Sequence, residues 1–290
     1  MRLPAIDRAG LARLRAATGR RRIDPDAPLF APDSITRRVN REAALLLGGG
    51  RALLLQVAHP LVAAGVAEHS RFEQTPLQRL LRTLELTLTI VFGSAAEALA
   101  AVRGIERAHA RVHGRLEHAC GPFRAGTPYD ANDPALLLWV QATLVDSALL
   151  AHERFIGPLR ADERRRFYDE SRVTARLFGI PDADVPPTYD AFRAYVRGML
   201  RGPQLAVSRD SRAIAAALLS PALPPGLRQL ALAPRLFTVG LLPASLRRRY
   251  GYTWGPVRER ALAAAAAAMR AGVPWLPAAL RHFPQARAAG

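Results

Sequence analysis

Residues 51–118, RALLLQVAHPLVAAGVAEHSRFEQTPLQRLLRTLELTLTIVFGSAAEALAAVRGIERAHARVHGRLEH, hold five of the seven histidines of the chain. His59, His69, His109, His113 and His118 stand between long apolar runs with helical spacing. Imidazole titrates unaided near neutral pH and is the commonest neutral metal ligand, so this crowding marks a candidate site. Two helices can be drawn inside the segment. Thr75 reads as an N-cap with Pro76 at the first helical position and Gln78 three residues on. Leu77, Leu80, Leu81, Leu84, Leu88 and Val91 then recur at helical spacing until Gly93. Ser94 and Glu97 repeat the capping signal, and the second helix is expected to continue to about residue 114. Arg79, Arg82 and Thr83 share one face of the first helix, and His109 and His113 lie one turn apart on the second. A histidine near a helix C-terminus is also favoured by the helix dipole, so His113 has a purely structural reading as well.

The helical pattern extends outward in both directions. Ser34 is expected to cap a helix that runs into the triplet Gly48, Gly49, Gly50. No strand precedes the triplet and no Lys-Ser/Thr follows it, so close helix approach explains it better than a phosphate loop. His59-Pro60 falls inside the next helical run. Proline frees a carbonyl one turn earlier and kinks the helix; the kink makes room for a flat ligand, or His59 bonds the freed carbonyl. Asp133 and Pro134 start a helix carrying Trp139, Thr143, Asp146, His152 and Phe155, apolar on more than one face and hence central. Further helices are expected over 160–178, 188–201, 208–219, 225–241, 244–250 and 256–270, separated by proline and glycine breaks. No alternating strand of useful length appears. The fold class is therefore all-α: an N-terminal arm over 1–34, a single multi-helix domain over 35–272 and a loose tail over 273–290.

With 50% hydrophobic residues the 290-residue chain has ample material for a core. It carries a formal charge of +17, and all 41 of its basic Lys/Arg positions are arginine. The arginines are spread along nearly every helix and aromatics make up 7%, so a dedicated nucleic-acid face is not expected. Contact with a membrane is expected to be peripheral at most. One cysteine, Cys120, excludes an internal disulfide and any cysteine-rich metal site. The apolar stretch 43–66 is interrupted by Gly48, Gly49, Gly50, Arg51, His59 and Pro60, which suits core helices better than a membrane span. A cytoplasmic location is the expectation that follows.

The words QVAHPLVAAGV (56–66), HSRF (69–72), TPLQRLLRT (75–83), VFG (91–93) and AHARVHG (108–114) occur in this order. Together with WVQATLVDSALLAHERFIGPL (139–159), YDE (168–170) and FGIP (178–181), they resemble the catalytic domain shared by MpaB-type oxygenases and rubber oxygenases. The resemblance spans roughly residues 35–269. It implies a helical fold with a globin-like core around one b-type haem, using dioxygen on a hydrophobic, isoprenoid- or lipid-like substrate. On this resemblance His113 matches the axial iron ligand, with His109 as the fallback and His59 lining the pocket. Arg79 and Thr83 match polar residues of the opposite haem face; Arg79 would pair with a propionate or only with a surface carboxylate, and Thr83 would donate to bound oxygen or back-bond within its own helix. Arg82 stands where rubber oxygenases carry a lysine. Arginine stays protonated and cannot ligate iron as a free base, so this departure favours the MpaB-like branch over rubber cleavage.

Two rival readings use the same residues. A carboxylate-bridged di-iron bundle needs paired Glu-x-x-His motifs; Glu106 and His109 supply one, and no second is present in the sequence. The other is a helical binding or scaffold protein that keeps the fold without the oxidative site. Substrate identity and oligomeric state are not encoded in any motif.

Overall fold

The computed structural model describes residues 6–69, 76–220 and 232–288, with backbone alone at 76–80 and 232–233. The expected Thr75 cap, Ser70 and the start of the helix over 225–241 lie outside the described residues. The elements in order are helices α1 (Arg8–Thr18), α2 (Ile35–Asn40), α3 (Leu46–Val57), α4 (Pro60–His69), α5 (Pro76–Phe92) and α6 (Ala95–His109). A short antiparallel hairpin follows, β1 (His113–Arg115) against β2 (Pro128–Asp130). Then come α7 (Pro134–Phe155), α8 (Ala161–Leu177), α9 (Tyr189–Arg201), α10 (Arg209–Leu219), α11 (Leu232–Leu241) and α12 (Ala244–Arg249). The chain closes with α13 (Pro256–Gly272), α14 (Ala278–Arg281) and α15 (Pro284–Ala288). Among the described residues the fold is all-α but for that one hairpin.

The starts of these helices follow side-chain chemistry. Asp7, Ser34, Ser94, Asp133, Thr188 and Ser208 each accept a hydrogen bond from an otherwise unpaired N–H of a first turn. At Ser94 the box with Glu97 forms as the spacing predicts.

The core is built on α7. Trp139, Ala142, Val145 and Leu149 pack against Leu53, Leu54, Leu55 and Val57 of α3. Two polar groups buried in this layer reach carbonyls of the neighbouring helix: Trp139 Nε1 donates to Leu55 at 3.1 Å, and the Tyr250 hydroxyl donates to Leu54 at 2.7 Å. The glycine triplet allows the close approach the sequence predicts. A Cβ at Gly48 would meet the Ser147 carbonyl of α7 at 3.0 Å, and one at Gly50 would run into the Thr238 side chain of α11. One turn on, buried Arg51 ties three helices: it donates to Asp146 at 2.6 Å, to Ser147 at 2.6 Å and to the Leu241 carbonyl at 2.9 Å. Arg193 of α9 takes the other oxygen of Asp146. Asp146 is thus a helix-to-helix contact. At 22 residues α7 is long and apolar enough to cross a membrane, but 56% of its apolar window is buried within the protein.

Three expectations are corrected. The helix drawn to residue 114 ends at His109, and His113 lies on a strand. Long-range pairing overrides the local helical pattern there: Leu116 N donates to Thr127 O and Ala131 N to Val112 O, closing the hairpin. The predicted kink at His59-Pro60 is a full break, with the chain turning by 105° between 43–57 and 60–69. The tail over 273–290, expected to be loose, carries α14 and α15 and docks. Arg281 makes a two-pronged pair with buried Glu42 at 2.8 and 2.9 Å, and Phe283 is buried against Leu88, Val91 and Phe92 of α5. The N-terminal arm also packs, with Leu14 and Ala17 against Leu99, Val102 and Leu177.

Candidate active site between α4 and the hairpin

α4 runs beside the hairpin, and histidines stand at both its ends. At its start, His59 is buried, 5% exposed, with its ring 5.0 Å from that of Phe123 in the hairpin loop. Its Nδ1 is buried and has no hydrogen-bond partner among the described residues. Burial pushes its pKa down to about 4, with Asp133 opposing weakly. The imidazole is therefore neutral at pH 7, with an uncommitted nitrogen. The carbonyl bond foreseen as the structural alternative for its Nδ1 is not made.

At the other end of α4, His69 Nε2 lies 3.1 Å from the His113 carbonyl and 3.2 Å from the Tyr129 hydroxyl. Tyr129 is buried and donates to Glu68. Burial and the adjacent carboxylate both raise its pKa, so the phenol keeps its proton. With the Tyr129 proton committed to Glu68, one assignment satisfies the group: His69 carries its proton on Nε2 and donates to both oxygens. The Tyr129 side chain lies against β1, where a Cβ at Gly114 would come within 2.8 Å of Cζ. Only glycine permits this approach, and it fixes the backbone on which His113 is carried.

The predicted site residues divide into groups. His113 sits on β1 with an exposed ring, paired across the hairpin with Asp130. His109 is the last residue of α6, half-buried. Arg82 and Thr83 lie on the exposed N-terminal half of α5, beside Leu81, which is 47% exposed. The Arg79 side chain lies outside the described residues. The structure thus joins His113 to His69, Tyr129 and Glu68 through its own carbonyl. It sets the His59 ring against Phe123 of the hairpin loop, and it carries Arg82 and Thr83 on a separate helix. His118 is exposed and His152 bonds the Gly157 carbonyl at the end of α7 at 3.2 Å. Glu106, the carboxylate of the one Glu-x-x-His pair, is held by Arg13. Among the described residues no three His, Cys, Asp or Glu side chains converge as a metal cluster.

Tyr129 and Glu68 were not singled out from the sequence. Glu68 adjoins a histidine, which is a weak signal, but Tyr129 lies 61 positions away in a turn-rich loop and only hairpin closure brings it back.

A family model described as "ER-bound oxygenase mpaB/B'/Rubber oxygenase, catalytic domain" matches residues 36–271. The uncharacterized proteins Rv2237 of Mycobacterium tuberculosis and Mb2261 of Mycobacterium bovis are each 28% identical over 216 residues. That alignment covers 72% of this chain and 80% of theirs. Among solved structures, latex clearing protein in its closed state superposes with a TM-score of 0.59 at 18% identity. The superposition covers 93% of this chain and 69% of that one, a likeness of fold.

Proposed function

The chain belongs to the mpaB and rubber-oxygenase catalytic-domain family, and from that premise we propose that it is a haem b-dependent oxygenase acting with dioxygen on a hydrophobic, isoprenoid- or lipid-like substrate. As an oxygenase it is an oxidoreductase by class. The carrying observation is that the matched span, 36–271, contains His59, Arg79, Arg82, Thr83, His109 and His113 in the order the motifs require. A globin-like arrangement around the cofactor and a cytoplasmic location belong to the same reading.

The residues present fit such a group. His113 offers an exposed imidazole on a strand whose carbonyl bonds His69, and His59 offers a buried nitrogen without a partner among the described residues. Leu81, Arg82 and Thr83 form an exposed apolar, cationic and hydroxyl-bearing surface on α5, the mixture that suits a flat apolar ring with carboxylate substituents. In this reading His113 would hold the iron, with His109 nearby in sequence as the fallback. Arg79 and Arg82 would pair with propionates or polarise bound oxygen, and Thr83 would donate a hydrogen bond. When bound, haem supplies the dioxygen chemistry, and the protein supplies ligation, polarity and access.

The chain's own groups have defined parts. His69 holds the His113 carbonyl, with Tyr129 against the same His69 nitrogen, and so sets the strand that carries the imidazole. Tyr129 keeps its proton on Glu68, leaving no free phenolate to compete for the metal. Neutral His59 with Phe123 keeps the inner end of α4 apolar. The Arg13–Glu106 ion pair argues against the di-iron reading, because it occupies the only carboxylate with the required spacing.

The test is the absorption spectrum of protein expressed with haem supply, compared with His113→Ala and His109→Ala. Wild type and His109→Ala should show the intense haem band, and His113→Ala should lose it or shift it. A wild-type protein without the band overturns the cofactor assignment. Loss in His109→Ala alone moves the ligand to the fallback residue.

A further inference from the structure

The C-terminal segment after α13 presents large apolar side chains to solvent. Trp275 is 87% exposed, Leu280 69% and Leu276 42%, all within six residues. Exposed apolar residues scattered singly are ordinary, but three in one short segment, one of them a tryptophan, mark an interaction surface. Nor is the segment a frayed end whose side chains have nowhere to pack. On its N-terminal side α13 is anchored through buried Leu262 and Ala266. On its C-terminal side Arg281 is clamped on Glu42, Phe283 is buried, and Phe283 N donates to Arg41 O at 2.9 Å. Pro274 and Pro277 flank Trp275 and restrict the backbone between the two anchors. The chain is held at both ends while its apolar tips are held away from the core.

The charge carried by this segment selects the occupant. Glu259 is the last acidic residue of the chain; after it come Arg260, Arg270, Arg281 and Arg287 and no carboxylate side chain. Arg270 is anchored by donating to the Arg154 carbonyl at 2.7 Å, which leaves its charge uncancelled. A second copy docking through the same face would set like charges against one another. An anionic lipid surface supplies the opposite charge, and it accepts tryptophan at the headgroup level and leucine just below it.

We infer that Trp275, Leu276 and Leu280, in a segment whose only charged side chains after Glu259 are Arg260, Arg270, Arg281 and Arg287, form a docking wedge for the surface of an anionic membrane. The wedge is independent of the proposed oxygenase site, and its test reads no activity. The full chain is sedimented with vesicles of phosphatidylcholine alone and of equal parts phosphatidylcholine and phosphatidylglycerol. Binding should be at least about tenfold stronger to the anionic vesicles, with a blue shift in tryptophan emission that Trp275→Phe removes. The double variant W275D/L280D should lose about tenfold or more of the binding with unchanged circular dichroism and Tm, since both side chains are exposed. Replacing Arg20, Arg21 and Arg22 with glutamine lowers the net charge by three, one more than the double variant does, at exposed positions of another segment, and should leave binding within about threefold. Absence of anionic vesicle binding overturns the inference. So does equal binding by W275D/L280D, which would mean that overall positive charge suffices. A wild-type dimer that the double variant converts to monomer, without vesicle binding, assigns the face to a second copy instead.

Discussion

His59 carries an imidazole that burial keeps neutral, and this links acid to stability. Above about pH 6.5 neither the folded nor the unfolded chain is protonated there, so the linkage costs nothing. As pH falls from 6.5 toward 4 the unfolded chain takes up the proton while the folded chain resists it. Stability must therefore fall across that window, by up to about 3 kcal/mol for this residue. Burial lowers the pKa of His152 and of His282 as well, so both act in the same direction. Urea unfolding at pH 7.5 and at pH 5 should show a large drop for wild type and a smaller one for His59→Gln. Identical drops would mean that His59 is not protected from protons as its burial implies. The apolar run around His59-Pro60 made burial foreseeable. Its neighbour Phe123 was not foreseeable, because a 64-residue separation in a loop leaves no periodic trace.

Among the helices, α3 depends on close approach. Gly50→Ala would place a methyl 2.9 Å from Thr238 Cγ2 and 3.1 Å from its Cβ, forcing α3 and α11 apart. A loss of about 1–3 kcal/mol in denaturant unfolding is expected. Gly104, in the middle of α6, offers the contrast: the nearest atom to a new Cβ is Arg107 Nη2 at 3.9 Å. Gly104→Ala should stabilise by about 0.5–1 kcal/mol, since only helix propensity changes. Similar effects of the two substitutions would refute the packing account of the triplet. The same principle explains the overlong α6 expectation. Its residues are good helix formers as far as 110, but the hairpin hydrogen bonds, from Ala131 N to Val112 O and from Leu116 N to Thr127 O, outweigh the extra turn. A local pattern cannot report a partner on the far side of a loop.

For the molecule as a whole, 41 arginines face 24 carboxylates. The described ion pairs neutralise part of this excess, among them Arg51–Asp146–Arg193 and Arg281–Glu42. The remaining positive charge repels itself in the compact state. Raising sodium chloride from about 20 to 200 mM shortens the screening length from roughly 20 to 7 Å and should relieve that repulsion. A gain of about 1 kcal/mol, or about 2 °C in Tm by calorimetry, is the expected scale. A fall in Tm would mean that surface ion pairs contribute more to stability than the excess charge removes.

Helical periodicity, capping residues and proline breaks determined the all-α class and most helix boundaries, because these are contacts within a few residues. Motif order determined the family for the same reason: each word is short and contiguous. Only the tertiary structure decided that His113 sits on a strand, that Tyr129 and Glu68 join His69 beneath it, and that Arg281 and Phe283 dock the C-terminal segment. Each of those depends on pairing between residues tens to hundreds of positions apart. Such pairing is set by how the buried surfaces fit together, and no local propensity carries it.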